Sequence, residues 1–224
     1  MWNLPAPPEF RGLDEHKDVK IYVRHLPHWR QDGATYFVTF RLHDSLPESK
    51  LRELRAMRRE WERANRPPHS QEALQDLSYR VMRRVEHWLD QGMGECLLRE
   101  PRWAEMATAA MHRFDGARYE LDAYVVMPNH VHAVVRPFMP GRYTLEHALQ
   151  GWKAVSARRI NAARGTAGPI WQDESFDRII RDEEHLWRAI QYIGRNPAKA
   201  GLRPEECRLW LRPAWSELGW RFDP

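Results

Sequence analysis

Apolar positions along this chain follow two periods, and the switches between them outline the elements. Tyr36-Phe37-Val38-Thr39-Phe40-Arg41-Leu42 is β-branched and aromatic and runs into the turn-like His43-Asp44-Ser45, which predicts a strand central in a sheet. Over residues 47–65, Leu51, Leu54, Met57 and Trp61 recur at helical spacing among alternating Arg and Glu, the pattern of a surface helix with an ion-paired outer face. A second helix is predicted over 71–90 through Leu74, Leu77, Val81, Val85 and Trp88, and a shorter one over 101–114 through Trp103, Met106, Ala110 and Phe114. Residues 119–126 and 131–137 read as strands joined around Met127-Pro128-Asn129, a connection that can also be a bulge beside a site. A helix follows over 144–163, with Leu145, Leu149, Trp152 and Ile160 inward and Lys153, Arg158, Arg159 and Arg164 on other faces. After a Gly-rich turn, 170–172 and 176–181 read as short extended pieces. Asp182 then caps a last helix, with Glu183 and Glu184 favourably placed against its dipole, and Pro197 is expected to stop it.

This order of elements is an α+β plan, most simply an antiparallel sheet with packed helices. Residues 1–34 are Pro-rich and read as an arm with one short strand at 19–24; residues 35–202 form a single domain. Residues 203–224, with Trp210, Trp215 and Trp220, are a tail expected to pack on it.

Composition adds a partner class. The net charge of the 224 residues is only +4, yet 30 of the 35 cationic side chains are Arg. The guanidinium fork binds phosphate bidentately and stacks on bases, so this bias, with 11 Trp, is compatible with nucleic acid; a GC-rich genome would produce the same bias without any such partner. Cys96 and Cys207 form neither a disulfide framework nor a close-spaced metal motif and are expected as reduced thiols. No stretch approaches the ~18 apolar residues of a membrane span, and no signal-like start precedes the arm, so a cytoplasmic protein is expected, nucleoid-associated when bound to DNA.

The candidate chemistry starts at His130-Val131-His132. On a strand, alternate side chains share a face, so the two imidazoles point the same way from Cα atoms about 6.6 Å apart and can converge on one ion. Alone, such a pair is weak, since histidines also serve in cores. The last helix strengthens it. At about 100° per residue, Leu186, Trp187, Ile190 and Ile193 cluster on one side, and Tyr192 falls roughly opposite, on a polar face with His185, Arg188 and Asn196. A hydroxyl, an oxygen donor and a cation then share one surface.

These residues carry a resemblance. Leu26-Pro-His-Trp29, Tyr36–Leu42, Met127-Pro-Asn-His-Val-His132, Trp171–Arg181 and Tyr192-Ile-Gly-Arg-Asn-Pro-Ala-Lys-Ala-Gly-Leu202 occur in the order found in HUH single-tyrosine transposases, and the chain most resembles the REP-associated tyrosine transposases of bacteria. The resemblance implies a ferredoxin/RRM-like antiparallel sheet with the histidine strand in its middle. It also implies His130 and His132 as ligands of a divalent ion, Mg²⁺ or Mn²⁺, with Asn196 as third ligand, and Tyr192 as the nucleophile of metal-dependent single-strand DNA cleavage and rejoining. The implied substrate is hairpin DNA of REP-like palindromes, and the implied state is monomer or homodimer. Gly194 departs from the family pattern, where bulkier residues are commoner, and is expected to loosen the helix. Lys153, Arg158 and Arg159, with His25, His28 and Trp29 of the arm, are candidate DNA contacts. Arg188 is another and a candidate stabiliser of the phenolate; the bland reading of each surface Arg is a solvated helix face.

Three alternatives stand beside this one. A domesticated hairpin-DNA-binding protein would keep the fold without transposing. A histidine-triad hydrolase would need a third histidine where Val134 stands. A purely structural His pair would leave Tyr192 idle.

Overall fold

The computed structural model describes residues 4–24, 26–138 and 142–223. In chain order the elements are β1 (Lys20–Val23), β2 (Pro27–Arg30), β3 (Tyr36–Arg41), α1 (Glu48–Ala64), α2 (Gln71–Leu89), α3 (Pro101–His112), β4 (Tyr119–Val126), β5 (His130–Pro137), α4 (Leu145–Arg164), β6 (Phe176–Ile179), α5 (Glu183–Lys199), β7 (Arg208–Leu211) and α6 (Pro213–Glu217). The main sheet is antiparallel throughout, in the order β6-β3-β5-β4-β7, while β1 and β2 pair as a separate hairpin. The α+β expectation therefore holds. β3, the helices after it, β4, β5, α4 and β6 follow a β-α-β-β-α-β course, and β7 from the tail adds a fifth strand at the edge.

Alternation along the strands sends side chains into two layers. Val38, Phe40, Val131, Ala133 and Val135 face α3 and α4, where Trp103, Met111, Leu149 and Trp152 complete one core. Phe37, Ala123, Val125 and Val134 face α5 and the tail, with Leu186, Ile190, Ile193, Trp215 and Trp220. The β4 pairing slips between Leu121 and Ala123, a bulge at Asp122 that switches the alternation, so Tyr119 and Leu121 before it and Tyr124 and Val126 after it all face the first core. α1 and α2 form a hairpin with its own core around Trp61, Leu77, Val85 and Trp88, joined to Leu26 of the arm.

Two expectations are corrected here. The last helix does not stop before Pro197; it continues to Lys199 with Pro197 buried inside it. A proline costs a helix one backbone hydrogen bond, and near the C-terminus that loss is small; the Ala200 N–H still reaches the Asn196 carbonyl at 3.0 Å, closing the last turn. Gly194, in turn, is not a loose point. A Cβ there would lie 2.7 Å from the Phe222 Cβ, so the missing side chain is what lets the tail lie directly on α5. No helix among the described residues is long and apolar enough to cross a membrane, and both cysteines are free and buried.

Candidate metal and nucleophile site

β5 opens with His130, so both histidines lie at one end of the sheet's middle strand, paired across β3 with Arg41 and Thr39 respectively. Both are essentially buried, at 1 % exposure. Their Nε2 atoms face each other at 3.0 Å. The far side of each ring is held. Asn129 donates its amide to the carbonyls of Leu89 and Met93 and thereby turns Oδ1 toward His130 Nδ1 at 2.8 Å. An amide oxygen only accepts, so this network assigns the proton of neutral His130 to Nδ1 and leaves Nε2 as a bare lone pair. Thr39 Oγ1 lies 2.8 Å from His132 Nδ1 and holds that ring in place, since a hydroxyl can donate to or accept from either tautomer. Burial holds both imidazoles neutral: the His130 pKa is depressed to about 3, with the Lys199 charge adding to the effect, and that of His132 falls well below the ordinary range.

α5 brings the remaining groups. Tyr192 is half-buried, its ring edge-on to His132 at 5.2 Å and to Phe37 at 5.7 Å. Its position corrects the expectation of an outward, polar face. Ala189 and Asn196 are buried and Trp187 is only partly so, which turns the helix's buried arc toward Tyr192 and puts the phenol on the flank, against the sheet. Asn196, one turn on, donates its amide to the Tyr192 carbonyl at 2.6 Å, which leaves Oδ1 as its free end. Tyr192 Oη and Asn196 Oδ1 are both buried without a close hydrogen-bond partner among the described residues, and the polar side chains that interact with the phenol are Glu86 and Asn196. Orphaned polar atoms of this kind cost on the order of 1–3 kcal/mol each, and two together mark a place arranged for something other than stability.

The donor set suits a hard or borderline divalent ion: two neutral imidazoles with Nε2 atoms converging, and the amide oxygen of Asn196. A separation of 3.0 Å is also what two adjacent ligands about 2.1 Å from a six-coordinate ion would show. Among the described residues no group of three or more His, Cys, Asp or Glu converges in this way, so the site depends on the amide.

Charged groups not anticipated from sequence complete the surroundings. Glu86 of α2 and Arg178 of β6 flank the phenol with opposite signs. Burial first, then the charges of Glu86 and Asp90, push the Tyr192 pKa up. Arg178 lies over the Phe37 ring at 4.7 Å, with its Nε buried and unpartnered. Lys199 is tied to Asp90 at 2.6 Å, joining α5 to α2 beside the histidines. Thr39, a polar residue inside an apolar strand, and Asn129, next to the first histidine, left a trace in the sequence; Glu86 and Arg178 left none.

The other expected contacts fare differently. Arg188 is paired with Glu184 at 2.6 Å, and its side chain is 64 % exposed. Lys153 is committed to the carbonyls of Gln172 and Asp173 and to Ser175 Oγ, and burial lowers its pKa to about 8. Arg158 and Arg159 are exposed on α4, on the face of the sheet opposite the histidines. His28 is buried in an ion network, Trp29 borders a cavity beside α2, and His25 lies outside the described residues.

No family model matches the chain, and no curated protein does. Among solved structures it is similar to one described as a REP-associated tyrosine transposase bound to a REP hairpin, with 18 % identity, a TM-score of 0.44, and coverage of 86 % of this chain and 92 % of that one.

Proposed function

We propose that this protein is a metal-dependent single-strand DNA endonuclease and strand transferase, acting at hairpin-associated sites in the manner of the HUH single-tyrosine transposases it resembles. The observation that carries the reading is the pair of buried, unpartnered oxygens, Tyr192 Oη and Asn196 Oδ1, gathered beside two facing imidazoles whose far sides are fixed by Asn129 and Thr39.

His130, His132 and Asn196 would hold Mg²⁺ or Mn²⁺, and such an ion, when bound, polarises a phosphate and offsets the charge that develops in the transition state. Tyr192 Oη attacks the phosphorus; the new O–P bond forms a 5′-phosphotyrosine as the P–O3′ bond breaks and releases a 3′-hydroxyl. A 3′-hydroxyl from another strand reverses the same step, so rejoining needs no outside energy source. The phenol must lose its proton, and its ordinary pKa of about 10 is raised further by burial in the absence of substrate and metal. Arg178, whose charge already interacts with the phenol, stabilises the phenolate; Glu86 is the carboxylate placed to receive the proton.

The test incubates the full chain with labelled single-stranded hairpin DNA from beside its own gene, with Mn²⁺, and looks for a covalent adduct on a denaturing gel. The adduct is expected from the natural chain and absent from Tyr192→Phe; an adduct that persists in Tyr192→Phe would sink the mechanism. Specific hairpin binding with no cleavage by the natural chain would instead support a regulator that binds DNA without cutting it.

A further inference from the structure

Breaking a phosphodiester with a phenol moves two protons, one off the attacking oxygen and one onto the departing 3′-oxygen. Glu86, which interacts with Tyr192, can take the first; the second needs a donor. α5 carries a candidate two turns beyond the nucleophile. Tyr192, Asn196 and Lys199 stand at i, i+4 and i+7, so they share one stripe of the helix, with Asn196 and Lys199 about 6 and 10 Å along the axis from the tyrosine. α2 carries a matching pair of carboxylates: Glu86 beside the phenol and, one turn on, Asp90, whose Oδ2 accepts from Lys199 Nζ at 2.6 Å. Leu89, the residue before Asp90, gives its carbonyl to Asn129, which in turn holds His130. The ammonium is thereby fixed at the histidine end of the site, and its charge reaches both imidazoles.

Lys199 is also the group here that can part with a proton. A guanidinium does not release one, which removes Arg178, and the two imidazoles are neutral with their Nδ1 sides held. An ammonium has three donors; one goes to Asp90, and the others meet no acceptor among the described residues. The side chain is 57 % exposed, so water can return a proton after each transfer. The order along the stripe fits an in-line displacement, in which the attacking and leaving oxygens lie on opposite sides of phosphorus. With the phosphate opposite Asn196, Tyr192 stands on the entering side and Lys199 on the leaving side.

We propose, on the basis of the single-strand nuclease reading above, that Lys199 is the general acid for the departing 3′-oxygen and, in the joining step, the general base for the incoming 3′-hydroxyl. As the Tyr192 Oη–P bond forms and the P–O3′ bond breaks, the electron pair of the broken bond stays on O3′. That oxygen takes a proton from the Lys199 ammonium, which leaves a 3′-hydroxyl and a neutral amine, while the phenol's proton passes to Glu86. An ammonium is a much stronger acid than the alcohol it produces, so the transfer runs downhill. Joining reverses both transfers, the amine taking the proton of the attacking 3′-hydroxyl. Asp90 holds the ammonium in position for this work.

The test compares two forms of the single-stranded hairpin oligonucleotide from beside the protein's own gene, one natural and one with sulfur in place of the bridging 3′-oxygen at the bond the natural chain cleaves. A thiolate leaves without a proton, so the sulfur form has no need of the acid. Single-turnover rates of adduct formation by the full chain with Mn²⁺ are read on a denaturing gel. Lys199→Arg keeps the charge and the pairing with Asp90 but has no proton to give. It is expected to slow the oxygen substrate at least about 100-fold and to leave the sulfur substrate near the natural rate. Lys199→Gln, which also removes the charge, is expected to show the same split. Equal losses on both substrates in the two variants, the mark of a role in folding or charge alone, would overturn the proposal, and so would natural rates on the oxygen substrate. In either case adducts formed by the natural chain leave the nuclease reading standing; no adduct from the natural chain on either substrate overturns both.

Discussion

Two buried histidine centres in this chain have opposite constitutions. At one, His28 lies between two carboxylates, with Nδ1 2.6 Å from Asp177 and Nε2 2.6 Å from Glu174. Carboxylates only accept, so the ring carries both protons as an imidazolium, and Arg30 completes the network through both oxygens of Asp177 and through Glu146. Burial opposes the charge, but the two carboxylates outweigh it and raise the His28 pKa to about 9. At the other, His130 and His132 are neutral, with no carboxylate bonded to either ring, and the oxygens of Tyr192 and Asn196 beside them have no close partner among the described residues. The first centre has both ring nitrogens bonded to carboxylates and serves the fold, tying the arm to β6. The second holds its capacity in reserve, at a cost in stability, and that reserve is what a ligand can use.

The largest effect that would sharpen this contrast is at the structural centre. His28→Gln removes the cation from between Glu174 and Asp177, leaving Asp177 with Arg30 alone, and is expected to lower unfolding free energy by about 3 kcal/mol in a denaturant titration, whereas His132→Ala, which removes no compensating charge, is expected to cost less. A larger loss in His132→Ala would break the comparison.

The two centres also respond to pH with opposite sign. The folded pKa of His28 is raised to about 9. Its contribution, about 3 kcal/mol, is therefore complete below the unfolded value near 6.5 and is lost as pH rises through about 9. The folded pKa values of His130 and His132 are depressed, so their centre loses stability as pH falls below about 6.5. Melting temperature measured against pH in EDTA should show the alkaline loss in the natural chain and not in His28→Gln.

Mn²⁺ separates the centres next. At 100 times its dissociation constant it is expected to stabilise the natural chain by about 2.7 kcal/mol and to leave His28→Gln with the same increment. His130→Ala and His132→Ala should lose it. An undiminished increment in both alanine variants would place the ion elsewhere.

The smallest effect expected is at Arg188. Its surface pair with Glu184 is worth at most about 0.5 kcal/mol, so Arg188→Ala should leave stability and the pH–rate profile of cleavage unchanged, while Arg178→Met should move the profile to higher pH. A shifted profile in Arg188→Ala would return the phenolate role to that residue.

Helix and strand periods were legible because they are local. The spans of α1, α2, α4 and β3–β5 follow from spacing, and Asp182 caps α5 as expected, accepting from the His185 N–H at 2.7 Å. The tail was not legible. Arg208–Leu211 has no run long enough to stand out, and it becomes a strand only because the edge of β4 offers unpaired backbone groups.

The sequence by itself determined that two imidazoles share one side of a strand and that Tyr192 and Asn196 lie one turn apart, because side-chain periodicity needs only the local backbone. Only the tertiary structure decided that the helix faces those histidines, that Asn129 sets the His130 proton and that Thr39 holds the His132 ring. It likewise decided that Arg178 and Glu86, rather than Arg188, flank the phenol. Those groups come from separate elements, and their meeting depends on strand order and on which face each helix buries, which no local pattern encodes.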